Sequence, residues 1–519
     1  MLNRRNHRLA IVAAAALNAA TISTADDFQT LDANPKFTDR FAPLGVDTQA
    51  TRVNPMMPSA AADWPVSNSD DFTLAALAPS DIVEDAGNPI QNGRVYPIDR
   101  RSDLDGAWHD LPGGARLWSF TIGSPNAAGL RVRLSDFRPA RGARLFMCNA
   151  DSPAESVEIV VPPDGPAAEQ WSPVIFGRRA RLEYLIPANV EPVSREPSPI
   201  HVTGVVQIFP YPEGESAGGG CRLDWRCYPA WADDGQGVAH IQFVSGGGNF
   251  ICSGALVNRL PSFDGCPLFL TANHCIGTES EANSVVAFWF FQSASCNGSV
   301  PPLNSVPQTV WSTLLTRDIS ADNSLLGLTP NQIPGGVFWL GWITGEVPDG
   351  AFGAIVHHPL GMRKSYSWGN VFGIETISQC SSPISDTYDF ELDNGGQDGG
   401  SSGAPMFDSN HRIRAVVTCS ESDNCIPAED CGEGSFHHSY AALDEYLDAA
   451  SVVYVNIGAA GVEDGSATFP WNTIREGFYG VHGGGTIMIA PGNYPLYNIR
   501  GPRGMRLQSW GGGAVRIGG

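Results

Sequence analysis

The 519-residue chain is short of charge, and shortest of positive charge. Only 17% of its residues are Asp, Glu, Lys or Arg, and 32 basic residues face 54 acidic ones, a formal net charge of −22. A surface so poor in cations argues against nucleic acid as a partner, because phosphate binding needs clustered lysine and arginine. Beyond the first residues no apolar run is long enough to cross a bilayer. The spaced Cys, His and Asp sets that hold zinc are lacking too, so neither metal nor cofactor is expected. Glycine and proline, by contrast, make up about a fifth of the chain. With 42% hydrophobic residues, that composition suits a globular protein built of many short elements joined by turns. The length predicts more than one domain.

The amino terminus reads as a secretory signal. Arg4, Arg5 and Arg8 form a basic start, Leu9 to Ala20 is apolar, and Ser23-Thr24-Ala25 is a small-residue cleavage site. Residues 1–25 are therefore expected to be removed, leaving a secreted protein, extracellular or periplasmic, with no membrane attachment. Eleven cysteines in an exported chain imply disulfides. Ten of them fall between Cys221 and Cys431, which marks the stapled unit. Cys148 stands apart and reads as a buried thiol in a strand.

In chain order, residues 26–97 have weak periodicity and read as a poorly ordered leader. Residues 98–209 alternate apolar and polar over Leu117–Ile122, Leu130–Leu134, Ala143–Met147, Arg181–Ile186 and Val202–Ile208. Clusters of Gly, Pro and Asp separate these runs. Such a pattern predicts a β-sandwich-like prodomain or accessory domain. Residues 210–220 are a linker by composition, open to processing. Residues 221–450 carry regularly spaced short strands, including a pair around Gly246-Gly247-Gly248, and end in a helix at Tyr440–Leu447. Residues 451–519 are a separate segment with a short helix at Trp471–Phe478.

Within 221–450 lie the parts of a nucleophilic triad. A serine hydroxyl needs a base within hydrogen-bond reach, and the base needs an orienting carboxylate. The chain offers His274 in Thr271-Ala272-Asn273-His274-Cys275, then Asp322 opening an apolar run, then Ser402 in Gly399-Gly400-Ser401-Ser402-Gly403-Ala404-Pro405. Ser401 competes as nucleophile, and Asp318 as carboxylate. Asp322 is favoured because it lies just before the apolar strand.

Residues from about Cys221 to Tyr440 resemble the trypsin-like serine proteases, and among them the bacterial lysyl endopeptidase group. Cys252-Ser253-Gly254-Ala255-Leu256 is similar to that family's C-[ST]-G-[ST]-L strand, with Ala255 departing from it. Leu270–Cys275 matches LTAxHC, and Ala321–Leu326 resembles SDxxLL. Phe338–Trp342 and Ala354–Pro359 match its FWxGW and HHP strands, and Gly400–Pro405 resembles GSSGSP. The resemblance implies a double β-barrel with a Ser-His-Asp mechanism. Ser402, placed directly before Gly-x-Pro, becomes the nucleophile rather than Ser401. His274 is the base and Asp322 the orienting acid. The backbone N–H groups of Gly400 and Ser402 form the oxyanion hole. It also implies disulfides Cys252–Cys275, Cys227–Cys296 and Cys221–Cys425, leaving Cys266, Cys380, Cys419 and Cys431 unassigned.

Two departures stand out. Trypsin carries an acid just before its nucleophile, which pairs with a newly cut amino terminus. Here that position is Ser401, so no such switch is expected. The lysyl group also uses an aspartate in its specificity pocket. Here Asp398, Glu429, Asp430 and Glu433 are all candidates for holding a basic substrate side chain. His357 and His358 read as strand residues near the barrel surface. The final segment, with Asp464-Gly465-Ser466 and Gly485–Tyr494, resembles the opening turns of pectate-lyase-like right-handed β-helices.

The fold class expected is thus mainly β: a β-sandwich-like prodomain, a double-barrel protease domain and a short right-handed β-helix segment. The expected partner is a protein or peptide substrate, with surface or polysaccharide contact through the last segment. An inactive homologue serving as a binding module is the alternative, with a carbohydrate-directed C-terminal segment behind it.

Overall fold

The computed structural model describes residues 35–41, 56–61, 69–78, 89–140, 142–159, 169–188, 200–210, 221–261, 265–329, 332–377, 384–420, 431–495 and 504–518. The signal segment, most of the linker, Cys380, Cys425, Glu429 and Asp430 lie outside them.

The architecture is mainly β, with one closed six-stranded barrel and one half-barrel. The half-barrel grows from a hairpin. Val238–Ser245 is rich in β-branched and aromatic residues, which suit a pleated surface. It turns at Gly246, whose φ of +54° favours glycine, and returns as Gly248–Val257, paired from Ser245↔Gly248 to Val238↔Ala255. Leu268–Ala272 pairs with that return strand on one edge and with Asn323–Leu328 on the other. Ser312–Asp318 extends the sheet beyond Asn323–Leu328, and Val286–Phe288 extends it beyond the hairpin's first strand. Ile241, Phe243, Leu256, Phe269, Leu270, Leu325 and Leu326 are buried in one core. Each such side chain contributes roughly 1.5–3 kcal/mol by leaving water.

The second unit is a ring. Phe352–His357 pairs with Ser365–Ile377 and Pro405–Phe407, and Ile384–Asn394 joins Ser365–Ile377 to Cys431–Ser435. Arg412–Ser420 pairs with both Pro405–Phe407 and Cys431–Ser435, which closes the circle. Ile355, Val371, Tyr388, Phe390, Met406 and Val417 fill it. A helix, Phe436–Leu447, follows. Ser435 caps it by accepting from His438 N–H, and Phe436, Ser439, Leu443, Tyr446 and Leu447 form its buried stripe. That cap starts the helix earlier than the apolar spacing alone predicts.

The N-terminal region forms two facing sheets. Trp118, Phe120, Ile122, Leu182 and Tyr184 on one meet Leu130, Val132, Leu134, Val202 and Val205 on the other. The sequence places the start of this unit at Ile98 and leaves residues 26–97 loosely packed. The described residues correct both points. A strand runs Ile90–Arg101, pairing with His201–Ile208 on one edge and with Gly248–Val257 of the half-barrel on the other. Asn92, Gly93 and Pro97 weaken its strand signal, and pairing on both edges overrides that local preference. Further upstream, Phe37–Thr38 pairs with Ile343 and Trp342, and Arg40 bonds the buried Asp234 at 2.9 and 3.0 Å.

The C-terminal segment pairs in parallel. Ala450–Val455 lies beside Val481–Ile489, which lies beside Arg506–Ser509. A helix, Ile474–Gly480, starts with a capping box between Thr473 and Glu476. The segment is not a detached appendage. Val453, Val455, Trp471, Phe478, Tyr479 and Ile487 share the half-barrel's core, and Tyr479 donates to Leu328 O at 2.8 Å.

Candidate active site

The histidine and the aspartate meet because of strand register. Leu268–Ala272 and Asn323–Leu328 are antiparallel with Ala272 opposite Asn323. The residues just beyond that pair, His274 and Asp322, therefore emerge at the same end. Asp322 Oδ2 lies 2.6 Å from His274 Nδ1, and Oδ1 accepts the His274 backbone N–H at 2.8 Å. The Asp322 carbonyl accepts from Asn273 N–H at 2.8 Å. The carboxylate grips the histidine by backbone and ring together, which fixes the imidazole orientation. With the Nδ1 proton held by Asp322, Nε2 is the nitrogen left to accept one. The Asp322 side chain is 2% exposed and that of His274 is 20%, so the acid is dry while the base stays reachable. Asp318, the competing carboxylate, caps its own turn through Ser320 and Ala321.

The serine loop is tied to the histidine strand through Ser253. Ser253 N–H donates to Ser402 O at 2.7 Å, and Ser253 Oγ donates to Gly400 O at 2.8 Å. Ser253 O accepts from Thr271 Oγ1 at 2.8 Å, three residues before His274. The neighbouring Cys252 forms a disulfide with Cys275, beside His274. Glycine is required at both bends of the loop, where φ is +89° at Gly400 and +84° at Gly403. A Cβ at Gly403 would stand 2.2 Å from Thr271 Oγ1 and 2.3 Å from Ser253 O. Ser401 turns to other partners: its hydroxyl sits 2.7 Å from His357 Nδ1 and accepts from Asp398 N–H at 3.1 Å.

Of the acids proposed for specificity, Glu433 sits beside this loop. It stands opposite Val417, whose carbonyl accepts Gly403 N–H at 2.8 Å. Gln397, five residues before Ser402, donates to its Oε1 at 2.6 Å, while Oε2 has no hydrogen-bond partner. Burial pushes its carboxyl up to about 8, against a smaller downward pull from Gln397. Asp398 is a correction to the sequence reading. Arg222 takes both its oxygens, at 2.9 and 3.3 Å, so its charge is satisfied within the chain. Glu429 and Asp430 lie outside the described residues.

His357 and His358 are also corrected: both are fully buried, not near the surface. Burial drives both rings toward the neutral form, His357 to about 3. His357 bridges Ser401 and Ser367, and His358 N–H donates to Ser253 Oγ at 3.0 Å. Ser253, Thr271 and His357 stand within sequence motifs, but nothing local marks them, or Arg222, as supports of the loop. Cys227–Cys296 and Cys252–Cys275 are both disulfides. Cys221 and Cys419 are disulfide-bonded as well, and the expected partner of Cys221, Cys425, lies outside the described residues. Among the described residues, Cys252, His274 and Cys275 gather close enough for a metal, but the sulfurs are joined to each other and unavailable. Glu346, His437 and His438 form a second such group at the start of the closing helix.

A family model described as "Lysyl endopeptidase, C-terminal domain" matches residues 215–430. The lysyl endopeptidase of Pseudomonas aeruginosa is 30% identical over 281 residues, spanning 51% of this chain and 60% of that relative's length. Among solved structures, the active form of the Rv3671c protease from M. tuberculosis matches with a TM-score of 0.31 and 16% identity, covering 46% of this chain and 92% of that one. A thermostable serine protease, AL20, from an extremophilic microorganism matches with a TM-score of 0.28 and 17% identity, covering 41% and 99%.

Proposed function

We propose that the chain is a secreted serine endopeptidase, made with an N-terminal prodomain, that cleaves after basic residues. Ser402 attacks the scissile carbonyl, His274 takes its proton and returns it to the leaving amine, and Asp322 holds the ring and stabilises the imidazolium. The N–H groups of Gly400 and Ser402 receive the oxyanion. One lost donor of that kind typically costs roughly 3 kcal/mol of transition-state stabilisation.

The observation that carries this reading is the two-point grip of Asp322 on His274, 2.6 Å to the ring and 2.8 Å to the backbone. The Ser253 bonds to the Ser402 loop support it from the other side. The 30% identity to a lysyl endopeptidase over 281 residues supports both the chemistry and the basic preference. Glu433 is the acid assigned to that preference, because it is buried beside the loop with an oxygen to spare.

The prodomain reading draws support from the strand Ile90–Arg101. Its Ile90 pairs with Ile251, next to Cys252, and the Ile251 side chain borders Gly400. An extended segment of the chain thus pairs with the strand whose Ile251 borders the serine loop. Buried Arg131 reinforces the docking, donating to Asn249 Oδ1 at 2.9 Å and to Ser284 O at 2.5 Å. Parallel pairing after Ala450 supports the reading of the last segment as the opening turns of a β-helix.

The test is hydrolysis of a peptide library by the protein cut near residue 220. Cleavage after lysine or arginine, lost in Ser402→Ala, is the expected result. A processed wild type that cuts nothing would favour the inactive binding module, and glycan breakdown surviving Ser402→Ala would move the activity to the C-terminal segment.

A further inference from the structure

We propose that Arg222 is a positioning residue for the serine loop: an internal cation that keeps the loop assembled without help from a free amino terminus. The inference rests on the reading of Ser402 as the nucleophile.

Arg222 is fixed at both flanks. Cys221 before it is disulfide-bonded, and Leu223–Asp224 after it pairs with Tyr366 and Ser365. Its guanidinium meets both oxygens of Asp398, at 2.9 and 3.3 Å, with the two side chains only 17% and 8% exposed. A two-point guanidinium–carboxylate contact fixes direction as well as distance, and water reaches the Asp398 side chain only sparingly.

Asp398 passes that constraint into the loop. Its carbonyl accepts Ser401 N–H at 2.9 Å, and its own N–H donates to Ser401 Oγ at 3.1 Å. Ser401 Oγ is also 2.7 Å from His357 Nδ1, whose other ring nitrogen is 3.0 Å from Ser367 Oγ. The His357 ring stays neutral because burial, helped by the Arg222 charge, opposes protonation. Arg222, Asp398, Ser401 and His357 therefore form one polar chain, half-buried at Arg222 and Asp398 and buried at Ser401 and His357. It ends on the residue between Gly400 and Ser402, whose N–H groups are assigned to the oxyanion. Without the guanidinium, Asp398 would be a poorly hydrated, unpaired charge, and turning it toward water would carry Ser401 along.

Trypsin completes its loop only when cleavage releases an amino terminus. Here the cation belongs to the side chain one residue after Cys221, and it is engaged in a chain that is uncut. The loop is thus built before processing.

The test follows the rate at which a small fluorophosphonate labels the protein cut near residue 220. Arg222→Gln should slow labelling about tenfold to a hundredfold, part of what loss of an oxyanion donor costs. It should lower kcat for a peptide while KM moves less than about twofold. Added guanidinium ion should recover much of the rate, Arg222→Lys should retain more than Arg222→Gln, and Arg222→Gln with Asp398→Asn should be no slower than Arg222→Gln alone. Acetylating the new amino terminus should change nothing. Arg222→Gln labelling at the wild-type rate overturns the proposal. So does a slowed variant with a lowered melting temperature that guanidinium does not rescue, or a need for a free terminal amine. Wild-type protein that is never labelled sinks the protease reading itself, whereas labelling lost in Ser402→Ala but untouched by Arg222→Gln sinks only this proposal.

Discussion

Replacing Glu433 with glutamine should remove a preference for basic residues and a pH dependence together. Its carboxyl is pushed up to about 8 from an ordinary 4.5, chiefly by burial. At pH 7 roughly a tenth of the molecules then carry the negative charge. A lysine side chain entering beside Glu433 must first draw off that proton, at a cost of roughly 1 kcal/mol at pH 7 and almost none at pH 9. The ratio of kcat/KM for a lysyl peptide to that for the matching glutaminyl peptide should therefore climb about tenfold between these pH values. Effects common to both substrates cancel in the ratio. The same shift bears on stability. The folded protein keeps the proton between about pH 4.5 and 8, where the unfolded chain releases it. The contribution of this group is therefore full below about 4.5 and is lost as pH rises through about 8, by at most about 5 kcal/mol. Glu433→Gln should flatten that part of a curve of urea midpoint against pH. A specificity ratio that stays level from pH 7 to 9, or one unchanged in Glu433→Gln, refutes the reasoning.

Other expectations follow from the same geometry. Opening Cys252–Cys275 by a double Cys→Ser change, across a separation of 23 residues, should cost about 3 kcal/mol and show as a lower denaturant midpoint. Gly403→Ala places a methyl group against Thr271 Oγ1 and Ser253 O at a positive φ, and should cost at least about 2 kcal/mol and most of the peptidase activity. Thr473→Ala breaks the capping box of Ile474–Gly480 and should cost about 1 kcal/mol in a thermal melt, with kcat/KM unchanged.

What could be read from the sequence was local. Cys252, His274 and Ser402 sit in short motifs whose residues carry their own logic: a small residue where backbones approach, a cysteine beside the base, glycines at the bends. Strand positions followed from alternation, as in Arg179–Ile186. What escaped was set by distant contact. Arg222 and Asp398 are 176 residues apart, and nothing in either neighbourhood announces the other. Asp398 therefore looked like a spare acid. His357 looked like a surface residue because its motif gives no sign that both ring nitrogens are satisfied indoors by Ser401 and Ser367. The strand from Ile90 is hidden in the sequence for a related reason. Its Asn, Gly and Pro read as turn residues until pairing on two edges is known. Glu433 was one acid among several, and only burial beside Gln397 and Val417 singles it out.

The central claim is that Ser402, not Ser401, is the nucleophile. Peptide mapping of the fluorophosphonate adduct on the processed protein tests it most directly. One adduct is expected, on Ser402, still formed in Ser401→Ala and absent in Ser402→Ala and His274→Ala. An adduct on Ser401, or labelling that survives Ser402→Ala, would contradict it.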